Sequence, residues 1–240
     1  LLAGVEVRLD LDLAGSWVER LIATACRSGA PNMAALAPAA RADGGDVAAL
    51  FQAALCQDGV RLEKIACDLA VDPAAFRAVA ELVPVPFLQA CGRRAATPRT
   101  WAEGYCPICG AWPAFAEMRG IERGRYLRCG RCGGEWPFHP LVCSYCGMTD
   151  HGQLASLVPE NGAATRKVDA CKRCLGYVKS FAVLQAAPAA RVMIEDLASV
   201  ELDVAAMSEG YRRAEGPGFS LDAAVAVRKS ALKKIFSWCL

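Results

Sequence analysis

Apolar residues recur at helical spacing through the first hundred residues, and this pattern predicts a helical domain over residues 1–100. The capping-box pattern of Ser16 and Glu19 predicts that the first helix begins at Ser16. Further helices are predicted over residues 46–57, 62–69 and 73–82. Pro84 and Pro86 follow the last of these stripes and are expected to end the helical run.

Helical spacing returns near the end of the sequence and predicts a C-terminal helical segment over residues 183–240. The last helix of this segment is expected to carry an apolar stripe from Leu221 to Cys239 opposite a basic face. The basic face comprises Arg228, Lys229, Lys233 and Lys234. We expect this helix to pack on the protein with its basic face in solvent. Docking to a membrane surface or to a partner is the alternative.

Between these helical parts, eight of the thirteen cysteines form four Cys-x-x-Cys pairs. The pairs are Cys106 and Cys109, Cys129 and Cys132, Cys143 and Cys146, and Cys171 and Cys174. One such pair is ambiguous among a redox dithiol, a disulfide and half of a metal site, whereas four pairs indicate metal binding. A glycine follows each of the first three pairs and allows the positive φ of a tight turn. After Cys174 comes Leu175, and the glycine is one residue later.

The spacing of the pairs predicts two four-cysteine metal sites that follow each other along the chain. Nineteen residues separate the first pair from the second and twenty-four separate the third from the fourth, which suits a short sheet within each module. The modules are predicted over residues 101–138 and 139–182, and an interleaved cross-brace is the alternative pairing. The predicted fold class is therefore α+β, with a helical N-terminal domain, two rubredoxin-like or zinc-ribbon four-cysteine modules and C-terminal helices.

Charge and composition argue against two classes of function, nucleic-acid binding and zinc-dependent catalysis. The formal charge is +2, and it becomes −2 when eight thiolates and two divalent cations are counted. This charge argues against a protein that binds nucleic acid mainly through its phosphates. Five basic residues beside the cysteines are expected to offset the thiolate charge: Arg125, Arg128, Arg131, Lys172 and Arg173. Only two histidines occur, so a histidine-based catalytic zinc site with an open position is not expected, and we predict that the protein is not an enzyme.

No uninterrupted apolar run reaches the length of about 18 residues that a membrane span needs, and no secretory signal is recognisable. We therefore expect a soluble, cytoplasmic protein without stable membrane insertion, and we leave self-association open.

The cysteine region and the segment after it resemble the FdhE family of formate dehydrogenase accessory proteins. The motifs that carry the resemblance are residues 101–110 (WAEGYCPICG), 126–129 (YLRC), 135–136 (EW), 143–147 (CSYCG), 171–174 (CKRC), 196–199 (DLAS) and 210–213 (GYRR). The resemblance implies a helical N-terminal domain, two rubredoxin-like modules and a cytoplasmic role in maturing respiratory formate dehydrogenase. The partner implied is the catalytic subunit of that enzyme, which carries molybdenum or tungsten and is exported by the twin-arginine route. The resemblance also favours iron over zinc as the bound ion.

Two other function classes compete with this expectation. A nucleic-acid-binding zinc-ribbon protein is the main alternative, and the nearly neutral charge argues against it. A thiol–disulfide exchanger would require metal-free pairs in a thioredoxin-like βαβ context, and the sequence around the pairs shows no such pattern.

Overall fold

The computed structural model describes residues 2–41, 44–95, 100–159 and 165–228. Two compact units are distinguished within the described residues. We call Phe87–Phe219 the cysteine-rich unit. The helical unit comprises Leu2–Pro86 together with the described residues from Ser220 onward.

The helical unit begins with strand β1 (Glu6–Asp10), which leads directly into helix α1 (Leu11–Arg27). The carboxylate of Asp10 caps the helix by accepting a hydrogen bond from the N–H of Leu13 at 3.1 Å. The prediction that this helix begins at Ser16 is wrong, because Asp10 supplies the cap earlier in the chain. Inside the helix, the hydroxyl of Ser16 donates to the carbonyl of Asp12 at 2.9 Å.

Three further helices confirm the predicted apolar stripes of the helical unit. They are α2 (Gly44–Cys56), α3 (Gly59–Asp68) and α4 (Pro73–Ala80). Asp72 caps α4 through the N–H of Ala75 at 2.8 Å, and Pro73 fills the first helical position, where no N–H is needed. A 3₁₀ segment at Met33–Arg41, which the sequence did not indicate, connects α1 to α2.

The fourth helix ends before Pro84, as predicted, but helical structure resumes after it. Helix α5 (Val85–Arg94) starts four residues after α4, and Pro86 lies in its first turn, where a missing N–H leaves no helical hydrogen bond unmade. By length and composition, the stretch Pro73–Arg94 is apolar enough to cross a membrane. Core helices of soluble proteins also pass this test, and Phe76 and Leu88 of this stretch are buried in the protein.

A mixed sheet organises the cysteine-rich unit. Its strands are β2 (Phe115–Arg119), β3 (Gly124–Arg128), β4 (Glu135–Pro137), β5 (Leu154–Leu157), β6 (Arg166–Cys171) and β7 (Tyr177–Val183). Within the described residues the order is β4-β3-β2-β7-β6-β5. Strands β2, β3 and β4 form one antiparallel half and β5, β6 and β7 the other. The halves join through parallel β2 and β7, in register from Phe115 opposite Lys179 to Arg119 opposite Val183. One sheet therefore runs through both four-cysteine modules.

Two short helices pack on this sheet, α6 (Val192–Leu197) and α7 (Val200–Ser208). The buried cluster between sheet and helices includes Phe115, Val168, Tyr177, Phe181, Val192, Leu202 and Ala206. This apolar contact fixes the helices over strands β6 and β7. The predicted α+β class, with N-terminal helices, two four-cysteine groups and helices after them, is confirmed.

The end of the described chain differs from the prediction. Residues Ala224–Arg228 form strand β8, which pairs in parallel with β1 from Glu6 opposite Ala224 to Asp10 opposite Arg228. The predicted amphipathic helix from Leu221 is therefore wrong over these residues. Val225 and Val227 are β-branched, which favours a strand once a pairing edge is present. The remainder of that predicted helix lies outside the described residues.

Candidate metal centres

All four cysteine pairs lie in turns with the same backbone hydrogen bonds. In the first turn, the N–H of Cys106 donates to the carbonyl of Ala111 at 2.8 Å, and the N–H of Gly110 donates to the carbonyl of Cys106 at 3.0 Å. The same two bonds occur at the same spacing in the turns that begin at Cys129, Cys143 and Cys171. Each turn thereby brings two cysteine side chains to one side of the backbone.

The residue after each pair has a positive φ, as the glycines after the first three pairs suggest. The angles are 70° at Gly110, 71° at Gly133, 68° at Gly147 and 58° at Leu175. The fourth turn thus has the same geometry as the others, although its sequence departs from the glycine pattern. A side chain in this conformation costs roughly 1–2 kcal/mol, so Leu175 is strained.

The first candidate centre is formed by Cys106, Cys109, Cys129 and Cys132, whose Sγ atoms all lie within 4.8 Å of one another. The shortest separations are 3.4 Å between Cys109 and Cys129 and 3.5 Å between Cys106 and Cys132. A disulfide requires about 2.05 Å, whereas a tetrahedral ion with bonds of about 2.3 Å places its sulfurs about 3.8 Å apart. All four residues are fully buried.

The second candidate centre repeats this arrangement with Cys143, Cys146, Cys171 and Cys174. Cys143 and Cys174 approach to 3.7 Å and Cys146 and Cys171 to 3.8 Å, which are the edges expected of a tetrathiolate ion. The structure therefore groups the pairs in sequence order, and no interleaved cross-brace forms among the described residues. Both groups have the donor set and spacing to hold a tetrahedral ion.

The thiols of the first centre differ in acidity when no cation is bound. Burial raises the pKa of the Cys106 thiol well above its usual range, and the neighbouring thiols act in the same direction. In Cys129, by contrast, hydrogen bonds with the thiols of Cys106, Cys109 and Cys132 lower the pKa, and the bond with Cys106 contributes most. Without a cation the group therefore keeps protons on some sulfurs, and a divalent ion must displace them to bind.

The second centre shows the same division. Burial raises the pKa of the Cys143 thiol. Burial also opposes ionisation of Cys171. Hydrogen bonds from the N–H groups of Cys174 and Arg173, together with those from the thiols of Cys146 and Cys174, outweigh burial and lower the pKa of the Cys171 thiol.

Two basic residues that were expected to offset the thiolate charge bind other groups. The guanidinium of Arg128 is buried and donates to the carboxylate of Glu117 at 2.7 Å. Arg125 donates to the carbonyls of His139 and Val142, each at 3.0 Å. Arg125 and Arg128 are thus held by a turn of backbone carbonyls and a buried carboxylate, and Arg125 also interacts electrostatically with the thiol group of Cys143.

Sequence reasoning missed a buried ionic network beside the second module. The ammonium group of Lys179 is fully buried and contacts Asp196 at 2.7 Å and Asp203 at 2.8 Å. Arg213 binds the same two carboxylates, and the hydroxyl of Tyr177 donates to Asp203 at 2.7 Å. Burial opposes ionisation of Asp203, but the hydrogen bond from Lys179 leads the contacts that lower the pKa of this carboxyl. The sequence feature that could have indicated this network is Lys179, a lysine within the otherwise largely apolar strand β7.

Comparisons with known proteins were made for the whole chain. Residues 141–219 match the family described as FdhE, C-terminal domain. Curated relatives include a Protein FdhE homolog of Stutzerimonas stutzeri, 37% identical over 113 residues, which are 45% of this chain and 35% of the relative. Protein FdhE of Escherichia coli is 35% identical over 111 residues, again 45% of this chain and 35% of the relative. These matches span about a third of the relatives' length.

A solved structure extends the similarity beyond these segments. The crystal structure of the FdhE protein from Pseudomonas aeruginosa superposes with a TM-score of 0.55 and 27% sequence identity, covering 89% of this chain and 75% of that chain. The chain is therefore similar in sequence and in fold to FdhE proteins, and the family resemblance predicted from its cysteine motifs is confirmed.

Proposed function

We propose that this protein is a cytoplasmic accessory factor for respiratory formate dehydrogenase, and that it binds the catalytic subunit of that enzyme before export. The proposal rests on the FdhE match together with the two four-cysteine groups. A tetrahedral ion with four thiolates has no open position for a substrate, so the protein acts through its surface and its bound ions. It is not an enzyme under this proposal.

The ligands under this proposal are the eight cysteines of the two groups, four for each ion. When bound, the ions hold the turns together, and iron would in addition allow a one-electron change at the thiolates. We propose iron as the physiological ion on the strength of the family resemblance, since tetrahedral thiolate sites accept both iron and zinc.

The absorption spectrum of protein purified without oxygen tests the identity of the ion. Iron predicts a red ferric-thiolate spectrum after mild oxidation, which dithionite bleaches. Colourless protein with stoichiometric zinc, after anaerobic expression with abundant iron, would contradict the assignment of iron and leave the two centres standing.

Affinity capture of the immature catalytic subunit tests the proposed role. Tagged wild-type protein should retain the subunit, and a variant with Cys106→Ser and Cys109→Ser should retain less because its first centre is lost. The matched control carries Cys56→Ser and Cys67→Ser, two cysteines outside both groups, and should bind like wild type.

Failure of the wild-type protein to capture the subunit, with and without oxygen, would refute the docking role. If that protein instead bound RNA or DNA at physiological salt, the nucleic-acid zinc-ribbon function would replace it.

A further inference from the structure

The two candidate centres are built from turns of the same kind but differ in their exposure to solvent. In the first centre, all four cysteines are completely buried. In the second centre, Cys146 is exposed, Cys174 is partly buried, and Cys143 retains 8% of its accessible surface. An ion in the second centre would therefore have one thiolate ligand in contact with water.

The turns of the first centre are covered by other parts of the cysteine-rich unit. A Cβ atom added to Gly110 would collide with the backbone of Phe219, and one added to Gly133 would collide with Ala189. Helix α5 covers the same centre, because a Cβ atom at Gly92 would collide with the carbonyl of Cys132. These contacts accompany the complete burial of the four cysteines, so their sulfurs are not exposed to dissolved ligands in this conformation.

The turns of the second centre are covered only in part. Gly104 packs against the carbonyl of Ser144 in the third turn, and the N–H of Arg212 donates to the carbonyl of Leu175 in the fourth turn at 2.8 Å. A Cβ atom added to Gly147 meets nothing within 4 Å, although this glycine occupies the same place in its turn as Gly110 and Gly133. In the fourth turn, Lys172 and Arg173 are exposed and Leu175 keeps 43% of its accessible surface. The second centre thus has an exposed cysteine in its third turn and exposed basic side chains in its fourth.

Two cavities give further access to the second centre. One, of about 250 Å³, is lined by Cys143 and Cys171 among other residues. The other, of about 270 Å³, is lined by Cys174 together with Arg212 and Arg213. A small ligand that enters either cavity therefore meets residues of the second centre.

We infer that the second centre is a metal-exchange site, whereas the first centre holds its ion as a permanent structural element. This inference rests on the proposal that both groups bind ions. In the exchange step, a thiol or aminocarboxylate ligand binds the ion while its bonds to the four sulfurs break. The released thiolates take up protons from water or bind an incoming divalent ion, and no electrons are transferred.

Chelator kinetics on the full-length, zinc-loaded chain test this inference. With excess 4-(2-pyridylazo)resorcinol, one zinc ion per chain should be released about tenfold or more faster than the other, since the protein shell around a site controls access to it. A Cys146→Ser variant should lose the fast phase. A Cys109→Ser variant, its matched counterpart in the first centre, should keep it.

Alkylation of the wild-type protein gives the same assignment without any variant. N-ethylmaleimide added with the chelator should label Cys143, Cys146, Cys171 and Cys174 before the four cysteines of the first centre, as mapped by mass spectrometry of peptides. Equal release rates, or earlier labelling of the first centre, would overturn the inference. Fewer than two zinc ions at the outset would instead refute the two-centre proposal, and neither result depends on capture of the catalytic subunit.

Discussion

Leu175 occupies the place that glycine holds in the other three cysteine turns, and its φ of 58° is unfavourable for a side chain. We predict that Leu175→Gly is more stable than Leu175→Ala by about 1 kcal/mol, because both remove the side-chain atoms beyond Cβ and only glycine also removes the Cβ that causes the strain. Urea denaturation of the two metal-loaded variants measures this difference. Equal stability, or a more stable alanine variant, would show that the turn carries no such strain.

The glycines also show what the sequence predicts at the scale of single residues. Gly110, Gly133 and Gly147 indicated the turn conformation, because a positive φ is a local property of the backbone. The partners of Arg125 and Arg128 were not predictable in the same way. They depend on Glu117 and on the carbonyls after β4, which only the folded sheet brings close.

Strand β7 and helices α6 and α7 are held together by the network around Lys179. We predict that Lys179→Met destabilises the protein by about 3 kcal/mol, because it leaves Asp196 and Asp203 with one cation fewer in a largely buried site. Chemical denaturation of the metal-loaded variant measures the loss.

The matched control for this prediction is Lys64→Met, which removes an exposed ion pair with Asp68. It should leave stability close to that of the wild type, because ion pairs in solvent contribute little. A similar effect for the two variants would mean that the buried network contributes no more than a surface pair.

At the scale of elements, local patterns were predictable and distant pairings were not. Helices α2, α3 and α4 follow from apolar spacing and from caps such as Asp72, all of which act within a few residues. Strand β8 depends on β1, whose residues lie near the other end of the chain. The sequence therefore predicts a helix for this apolar segment, whereas pairing with the edge of β1 makes it a strand.

The whole cysteine-rich unit depends on one sheet that joins both modules through β2 and β7. The cysteine spacing predicts the two modules, but no local sequence pattern indicates that β2 and β7 pair in parallel. Because the strands are shared, removal of the ions should unfold the sheet of both modules together, whereas α2, α3 and α4 should persist.

Hydrogen exchange measured by mass spectrometry checks this prediction. After chelation of both ions, peptides covering residues 115–128 and 166–183 should lose protection together, and peptides covering residues 46–80 should keep it. Protection that survives in the strands would show that the sheet folds without metal.

The metal content of protein purified without oxygen tests the central claim most directly. Elemental analysis should find two ions per wild-type chain and one ion in a variant with Cys129→Ser and Cys132→Ser, because the second centre shares no ligand with the first. Two ions in that variant, or metal-free wild-type protein with its cysteine pairs oxidised, would contradict the account of two successive four-cysteine centres.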